Sequence, residues 1–189
     1  MNEIERIAPR ILRVPPVDAP LSSDAFIIEG DSQYYVYDVG ASEAAYAAIA
    51  ALDKPLTVIL SHFHRDHTAN MARISPKHTL VGARTRKQLG MGTLVDAPVT
   101  IRDGVEIVVQ PCVSPHAPGC LIATVDGAYT LVGDLHYAYP GTGQGEARGM
   151  YNQLRRLPTQ HFVVSHAAGS PLVSREDMLE KIRVGYGLI

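Results

Sequence analysis

The sequence predicts an α+β fold in which layers of β-sheet are covered by helices. Short apolar runs bounded by turn residues alternate with helical segments along the 189 residues, and no linker-like stretch separates them. Asp-Gly dipeptides at 103–104 and 126–127 favour tight turns between antiparallel strands. Many strands with interspersed helices are typical of sheets packed under helices, and we expect a single domain spanning residues 1–189.

The first half of the chain alternates strands with helices. Strands are predicted at ILRV (11–14), AFIIEG (25–30), QYYVYDVG (33–40), LTVIL (56–60) and HTLVG (78–82), where apolar runs lie between turn residues. Helices are predicted at SEAAYAAIAAL (42–52), HTANMARI (67–74) and RTRKQLG (84–90). Ser42 precedes the alanine-rich segment in the position of an N-cap.

The second half begins with two predicted hairpins, VTIRDGVEIVVQ (99–110) and LIATVDGAYTLVGD (121–134). A loop is predicted at YAYPGTGQGEARG (137–149), followed by a helix at MYNQLRRL (150–157), a strand at HFVVS (161–165) and a closing helix from Ser174. The glycines of TGQGEARG (142–149) do not follow a strand directly, so we interpret this segment as a mobile flap and not as a dinucleotide loop.

Composition narrows the classes of function. The chain is 46% hydrophobic and 19% charged with a net charge of −2, so we expect neither a nucleic-acid partner nor a membrane partner. No apolar stretch approaches the roughly 20 residues of a membrane span. The first ten residues, MNEIERIAPR, contain acids and no apolar core, so no signal peptide is expected. Two cysteines cannot form a disulfide framework, which favours a cytoplasmic location.

The segment SHFHRDHTAN (61–70) is the strongest functional signal. It places His62, His64, Asp66 and His67 directly after the apolar run LTVIL. Side chains two apart in an extended segment point to the same side, so His62 and His64 are predicted to bind one metal ion. Asp66 and His67 follow where the chain turns into a helix, so they suit a neighbouring ion. In the alternative, the histidines are ordinary loop residues and Asp66 caps the helix.

Further donors are predicted at strand ends and in one loop. Asp134 ends TLVGD, His166 ends FVVSH, and His116 lies in the turn-rich loop SPHAPGC. Taken singly, these residues would serve equally well as caps or surface side chains, but together with the histidine cluster they predict one converging site. His136 follows Asp134 by two residues, and we leave open whether it lines the same pocket.

This set of residues resembles the metallo-β-lactamase superfamily. The matching residues, in the order of the family, are His62, His64, Asp66, His67, His116, Asp134 and His166. Asp38 and Gly40 in YDVG resemble the strand-ending Asp-x-Gly of the family. The chain departs from the family in having Pro115 before the loop histidine and SHAAG around the last histidine.

The resemblance implies an αββα sandwich, with two mixed sheets packed together and flanked by helices. It implies that His62, His64 and His116 hold one metal, that Asp66, His67 and His166 hold a second, and that Asp134 bridges the two ions. Imidazole and carboxylate ligands favour zinc, although iron or manganese would accept the same set. Asp38 is expected either to accept a hydrogen bond from a ligand imidazole or to form a turn.

The resemblance further implies a binuclear metal-dependent hydrolase, in which Asp66 and Asp134 are the catalytic carboxylates and a hydroxide bridges the two ions. The expected substrate is a small ester, lactone, thioester or related molecule, and the net positive site favours an anionic one. Two other classes stay open: a mononuclear iron oxidoreductase, similar to persulfide dioxygenases, and a non-catalytic metal-binding module. Homo-oligomer formation also stays open.

Other polar and reactive residues receive plainer interpretations. The basic residues at 84, 86 and 87 are interpreted as a solvated helix face. Tyr137 and Tyr139 are interpreted as a packing pair, or alternatively as donors of a proton or hydrogen bond to the leaving group. Cys112 and Cys120 flank His116 and are predicted to be buried thiols that do not bind metal.

Overall fold

Two mixed β-sheets form the centre of the fold in the computed structural model, which describes residues 4–137 and 143–188. The strands of the first half are β1 (Glu5–Ala8), β2 (Ile11–Val14), β3 (Val17–Asp18), β4 (Leu21–Ser22), β5 (Ala25–Glu29), β6 (Tyr34–Tyr37), β7 (Leu56–Ile59), β8 (His78–Val81) and β9 (Thr93–Leu94). Seven of them form the first sheet, in the order β1-β2-β5-β6-β7-β8-β9, whereas β3 and β4 pair as a separate hairpin. The strands from β6 to β9 run parallel to one another.

The second sheet comes entirely from the second half of the chain. Its strands are β10 (Val99–Arg102), β11 (Glu106–Cys112), β12 (Cys120–Val125), β13 (Tyr129–Gly133), β14 (His161–Val164) and β15 (Leu172–Ser174), and they lie in that order. All neighbours are antiparallel except β13 and β14, which are parallel. Both hairpins predicted from the Asp-Gly dipeptides are confirmed.

Helices flank the two sheets. They are α1 (Glu43–Ala50), α2 (Arg65–Thr68), α3 (Ala83–Leu89), α4 (Gln144–Leu154) and α5 (Arg175–Gly185). The N-cap predicted at Ser42 is confirmed, because its side chain accepts a hydrogen bond from the backbone N–H three residues later. Ser174, where the closing helix was predicted to begin, caps α5 in the same way. In the described part of the chain, no helix has the length and apolar character needed to cross a membrane.

The predicted helix at 67–74 is wrong in its extent. Only the four-residue α2 forms, and a 3₁₀ turn at Ala69–Ala72 follows it. The carbonyls of Asp66 and His67 accept hydrogen bonds from the N–H groups of Ser23 (3.0 Å) and Val39 (2.9 Å). These bonds tie the motif to the ends of neighbouring strands, in place of the bonds that would extend the helix.

The loop predicted at 137–149 is also wrong in part. Gln144 to Gly149 form the first half of α4, and the burial of Ala147 and Met150 against the second sheet outweighs the low helix propensity of two glycines. The interpretation of this part as a flap is therefore incorrect. Residues 138–142 of the predicted loop, including Tyr139 and the first residue of the proposed flap, lie outside the described residues.

Alternation along the strands produces three apolar layers. In β5, Phe26 and Ile28 face the second sheet, whereas Ile27 faces α1. In β12, Leu121 faces the first sheet and Ile122 faces the layer formed with α4 and α5. Helices therefore cover the outer face of each sheet, and the predicted αββα sandwich is confirmed.

Candidate metal centre

The candidate site lies where strands of both sheets end. Strands β6 and β7 are parallel, as are β13 and β14, so within each pair the carboxyl ends point the same way. Asp38 follows β6, the 61–70 motif follows β7, Asp134 follows β13, and His166 follows β14. His116 enters from the loop between β11 and β12. All seven donors predicted from the sequence meet at this edge, in two clusters.

The first cluster consists of His62, His64 and His116. The Nε2 atom of His62 lies 2.9 Å from Nδ1 of His64, and Nε2 of His116 lies 3.3 Å and 3.2 Å from those two atoms. Nitrogens bound to one tetrahedral zinc at about 2.0–2.1 Å would stand about 3.3–3.4 Å apart. Three ring nitrogens facing one point at this spacing fit a shared cation.

The second cluster consists of Asp66, His67, Asp134 and His166. Nε2 of His166 lies 3.0 Å from Oδ2 of Asp66, and Nε2 of His67 lies 3.5 Å from the same oxygen. Oδ2 of Asp134 lies 3.3 Å from Nε2 of His67 and 3.8 Å from Nε2 of His166. Two imidazoles and two carboxylates suit zinc, iron or manganese.

Asp134 stands between the clusters. Its Oδ2 is 3.6 Å from Nε2 of His116 in the first cluster and 3.3 Å from Nε2 of His67 in the second. Its Oδ1 is buried and has no hydrogen-bond partner among the described residues. A buried carboxylate oxygen without a partner is costly, so this atom fits a carboxylate that binds cations.

Asp38 orients two of the histidines through a buried network. Its Oδ2 lies 2.7 Å from Nδ1 of His67, so the predicted hydrogen bond to a candidate ligand imidazole is present. Ser61 donates from Oγ to the same carboxylate (2.6 Å) and can therefore accept from Nδ1 of His62 (2.9 Å). Because Nδ1 of each ring faces this network, Nε2 is the ring atom that faces the clusters and would bind a cation.

The two clusters differ in their electrostatics. Burial and the neighbouring imidazoles lower the pKa of His62, which keeps that ring neutral. Burial also acts to lower the pKa of His67, but Asp38 and Asp134 outweigh it and raise the pKa to about 10. A hydrogen bond to Asp66 raises the pKa of His166. The second cluster thus has the charge environment that stabilises a cation.

A cavity of about 520 Å³ opens over both clusters. Its walls are formed by Asp18, Leu21, His64, Asp66, His116, Asp134, Tyr137 and His166. Asp18 and Leu21 belong to the β3–β4 hairpin, which sequence reasoning missed because two-residue strands carry no periodic signal. The ring of Tyr137 lies 6.5 Å from that of His116 and 6.3 Å from that of His166, measured between centroids. Tyr137 therefore lines the cavity and is not confined to a packing pair.

The structure also places the other residues that the sequence singled out. Cys112 and Cys120 are buried, as predicted, and burial raises the pKa of both thiols. Neither thiol is part of the two clusters. The basic residues at 84, 86 and 87 are exposed on α3, as predicted. His136 is buried under the ring of Tyr137 (4.0 Å between centroids) and is not part of the cavity wall. Burial and, to a smaller extent, the positive charge of Lys181 lower the pKa of His136 to about 4.

The chain is similar in sequence to known proteins. A model of the metallo-beta-lactamase superfamily matches residues 18–94, a range that contains Asp38 and the four donors of the 61–70 motif. Over this range the chain is similar to the metallo-β-lactamase superfamily. A curated relative, the atrochrysone carboxyl ACP thioesterase of Emericella nidulans, is 27% identical over 194 residues that cover 92% of the chain. The chain spans about 60% of the length of that relative.

Solved structures show the same metallo-β-lactamase fold. An archaeal metallo-beta-lactamase superfamily protein from Sulfolobus tokodaii matches with a TM-score of 0.68 and 17% identity, over 94% of this chain and 86% of that one. The DIM-1 metallo-beta-lactamase matches with a TM-score of 0.74 and 16% identity, over 97% of this chain and 96% of that one. At these identities the match concerns the fold alone.

Proposed function

We propose that this protein is a hydrolase of the metallo-β-lactamase superfamily that uses two divalent metal ions to cleave a small ester, lactone or thioester. The observation that carries the proposal is the pair of complete donor clusters that share Asp134 beneath one open cavity. Two adjacent ions suit hydrolysis because they polarise a carbonyl and supply an activated water near neutral pH.

In this proposal the seven donors are divided between two ions, and one donor is shared. His62, His64 and His116 hold the first ion, Asp66, His67 and His166 hold the second, and Asp134 holds both. Zinc is our first choice because the ligands are imidazoles and carboxylates, and iron or manganese are the alternatives. Asp38 and Ser61 fix the ring orientation of His67 and His62 through the bonds already described.

The residues around the cavity favour a compact, polarised acyl substrate. The negative charges of Asp66 and Asp134 would only partly offset the positive charges of two divalent ions. The remaining positive charge would attract an anionic group on the substrate. Burial raises the pKa of Tyr137, and Asp134 and Asp24 add to the shift, so the phenol stays protonated at neutral pH. A protonated phenol on the cavity wall is placed to donate a hydrogen bond to a leaving group.

A thioester is our first candidate because the fungal relative is named as an acyl-carrier-protein thioesterase. The mononuclear iron oxidoreductase is less favoured because Asp66, His67 and His166 complete a second donor set that one ion would not need. A non-catalytic module is less favoured because the donors lie beneath an open cavity with a phenol on its wall.

Metal content gives the first prediction. Protein purified without chelators is expected to contain close to two divalent ions per chain, because both clusters offer complete donor sets. Elemental analysis of the purified protein measures this directly, and removal with a chelator followed by reloading provides the control. A ceiling of one ion per chain, present as iron, would favour the oxidoreductase.

A substrate panel gives the second prediction. Metal-loaded protein is expected to hydrolyse a short acyl thioester, or a related ester or lactone, faster than it hydrolyses a phosphoester. The activity should disappear on chelation and return when the metal is restored. Protein that carries two ions and cleaves none of these acyl substrates would contradict the proposed chemistry.

A further inference from the structure

A buried ion pair lies behind the loop that carries His166. Arg13 in β2 and Asp24 before β5 are 3% and 0% exposed, and Nε of Arg13 donates to Oδ1 of Asp24 at 2.5 Å. Desolvating two charges costs much of what their attraction returns, so such a pair is weak evidence for a purely stabilising role. The other bonds made by these two side chains indicate what it does.

Most of those bonds go to the backbone of the His166 loop. Oδ2 of Asp24 accepts from the N–H of His166 at 2.7 Å. One guanidinium nitrogen of Arg13 donates to the carbonyl of Gly169 at 2.7 Å, and the other donates to the carbonyl of Ala167. The first nitrogen also contacts Glu5 at 3.2 Å. The pair thus fixes three backbone groups within four residues of the loop.

The loop needs this support because of its own backbone. His166 has a φ of 58°, in the left-handed region that side-chain-bearing residues avoid, and no glycine flanks it in SHAAG. Such a conformation persists only when the surroundings hold it. Direct bonds from Asp24 and Arg13 on both sides of the strained residue meet that requirement.

We propose that Arg13 and Asp24 are positioning residues that hold His166 in place for the second metal ion. The inference rests on the proposed two-metal function. The pair supports the second ion alone, because the bonds of Arg13 and Asp24 reach the loop of His166. Among the described residues, no bond joins the pair to the first cluster. A pair that served only folding would affect both ions equally.

The test compares the affinities of the two ions within each variant. Zinc is titrated into chelator-treated protein carrying Asp24→Asn, Asp24→Ala or Arg13→Lys, with a competing chromophoric chelator. We expect the second ion to bind about 10- to 100-fold more weakly in the variants, and the first to change by less than about 2-fold. Asp24→Asn should be milder than Asp24→Ala because its amide oxygen still accepts from His166.

Arg6→Lys is the matched control. Arg6 forms an arginine–carboxylate pair with Glu29 in the same sheet, but that pair is surface-exposed, and the hydrogen bonds of Arg6 go to Glu29 and Pro9 and not to the His166 loop. A folded variant is recognised by its intact binding of the first ion, so the ratio of affinities does not depend on overall stability. A wild-type chain that binds only one ion would overturn the two-metal function and this inference with it. Two ions in the wild type with unchanged second-ion affinity in the variants would overturn the inference alone.

Discussion

Asp134→Ala is expected to weaken both metal ions together and to abolish hydrolysis. Its Oδ2 lies within 3.6 Å of a nitrogen in the first cluster and 3.3 Å of one in the second, so a single side chain serves both. His166→Ala, by contrast, removes a donor from the second cluster only. We expect a loss of at least about 100-fold in affinity for both ions with Asp134→Ala, and for one ion with His166→Ala.

Matched zinc titrations of the two variants distinguish the bridging role from simpler ones. The exposed Asp96→Ala, outside both clusters, is the control for loss of an aspartate. If Asp134 only terminates its strand, its removal should lower the thermal stability and leave the metal content unchanged. An Asp134→Ala protein that binds two ions with wild-type affinity and still hydrolyses its substrate would refute the assignment.

The parts of the site that sequence predicted share one property: the signal is local. His62 and His64 follow an apolar strand within a few residues, and two-residue periodicity places them on the same side. Asp134 and His166 also stand at strand ends, which meet at one edge once the sheets form. For these residues the position in the chain and the chemistry of the side chain agree, so the candidate donors could be named before the fold was known.

The supporting residues were hidden because their roles depend on distant contacts. Arg13 lies in a short strand whose pattern suggests a solvent-facing charge, yet it is buried beneath a loop more than 150 residues away in sequence. Asp24 resembles an ordinary residue preceding a strand. The antiparallel register of β2 and β5 brings these two side chains together, but their bonds to the His166 loop form only when the two sheets pack against each other, which no periodic pattern predicts.

The same limit applies to local propensity. Gly145 and Gly149 made the start of α4 look like a loop, because glycine disfavours a helix interior. Burial of Ala147 and Met150 against the second sheet decided the outcome instead. The 61–70 motif shows the reverse case, in which hydrogen bonds to neighbouring strand ends shorten a segment with helical character. In both places, tertiary contacts outweighed the local helix propensity of the sequence.

Gly82→Ala is expected to destabilise the fold and to disturb the first cluster. A methyl group at Gly82 would stand 1.9 Å from the carbonyl oxygen of Gly119 and 2.9 Å from its carbonyl carbon. Both are backbone atoms, so no side-chain rotation relieves the clash. Overpacking of this kind costs about 2–3 kcal/mol, which corresponds to a fall in Tm of roughly 4–12 °C for a chain of this size.

The effect should reach His116 because Gly119 lies three residues beyond it in the loop that the methyl group would displace. We therefore expect weaker binding of the first ion in addition to the lower Tm. Gly145→Ala is the matched control: no atom lies within 4 Å of the added methyl group, and alanine in a helix should leave stability unchanged or raise it by up to about 1 kcal/mol. Thermal unfolding and zinc titration of both variants measure the two effects. An unchanged Tm in Gly82→Ala would show that the two loops do not approach each other as closely as the structure indicates.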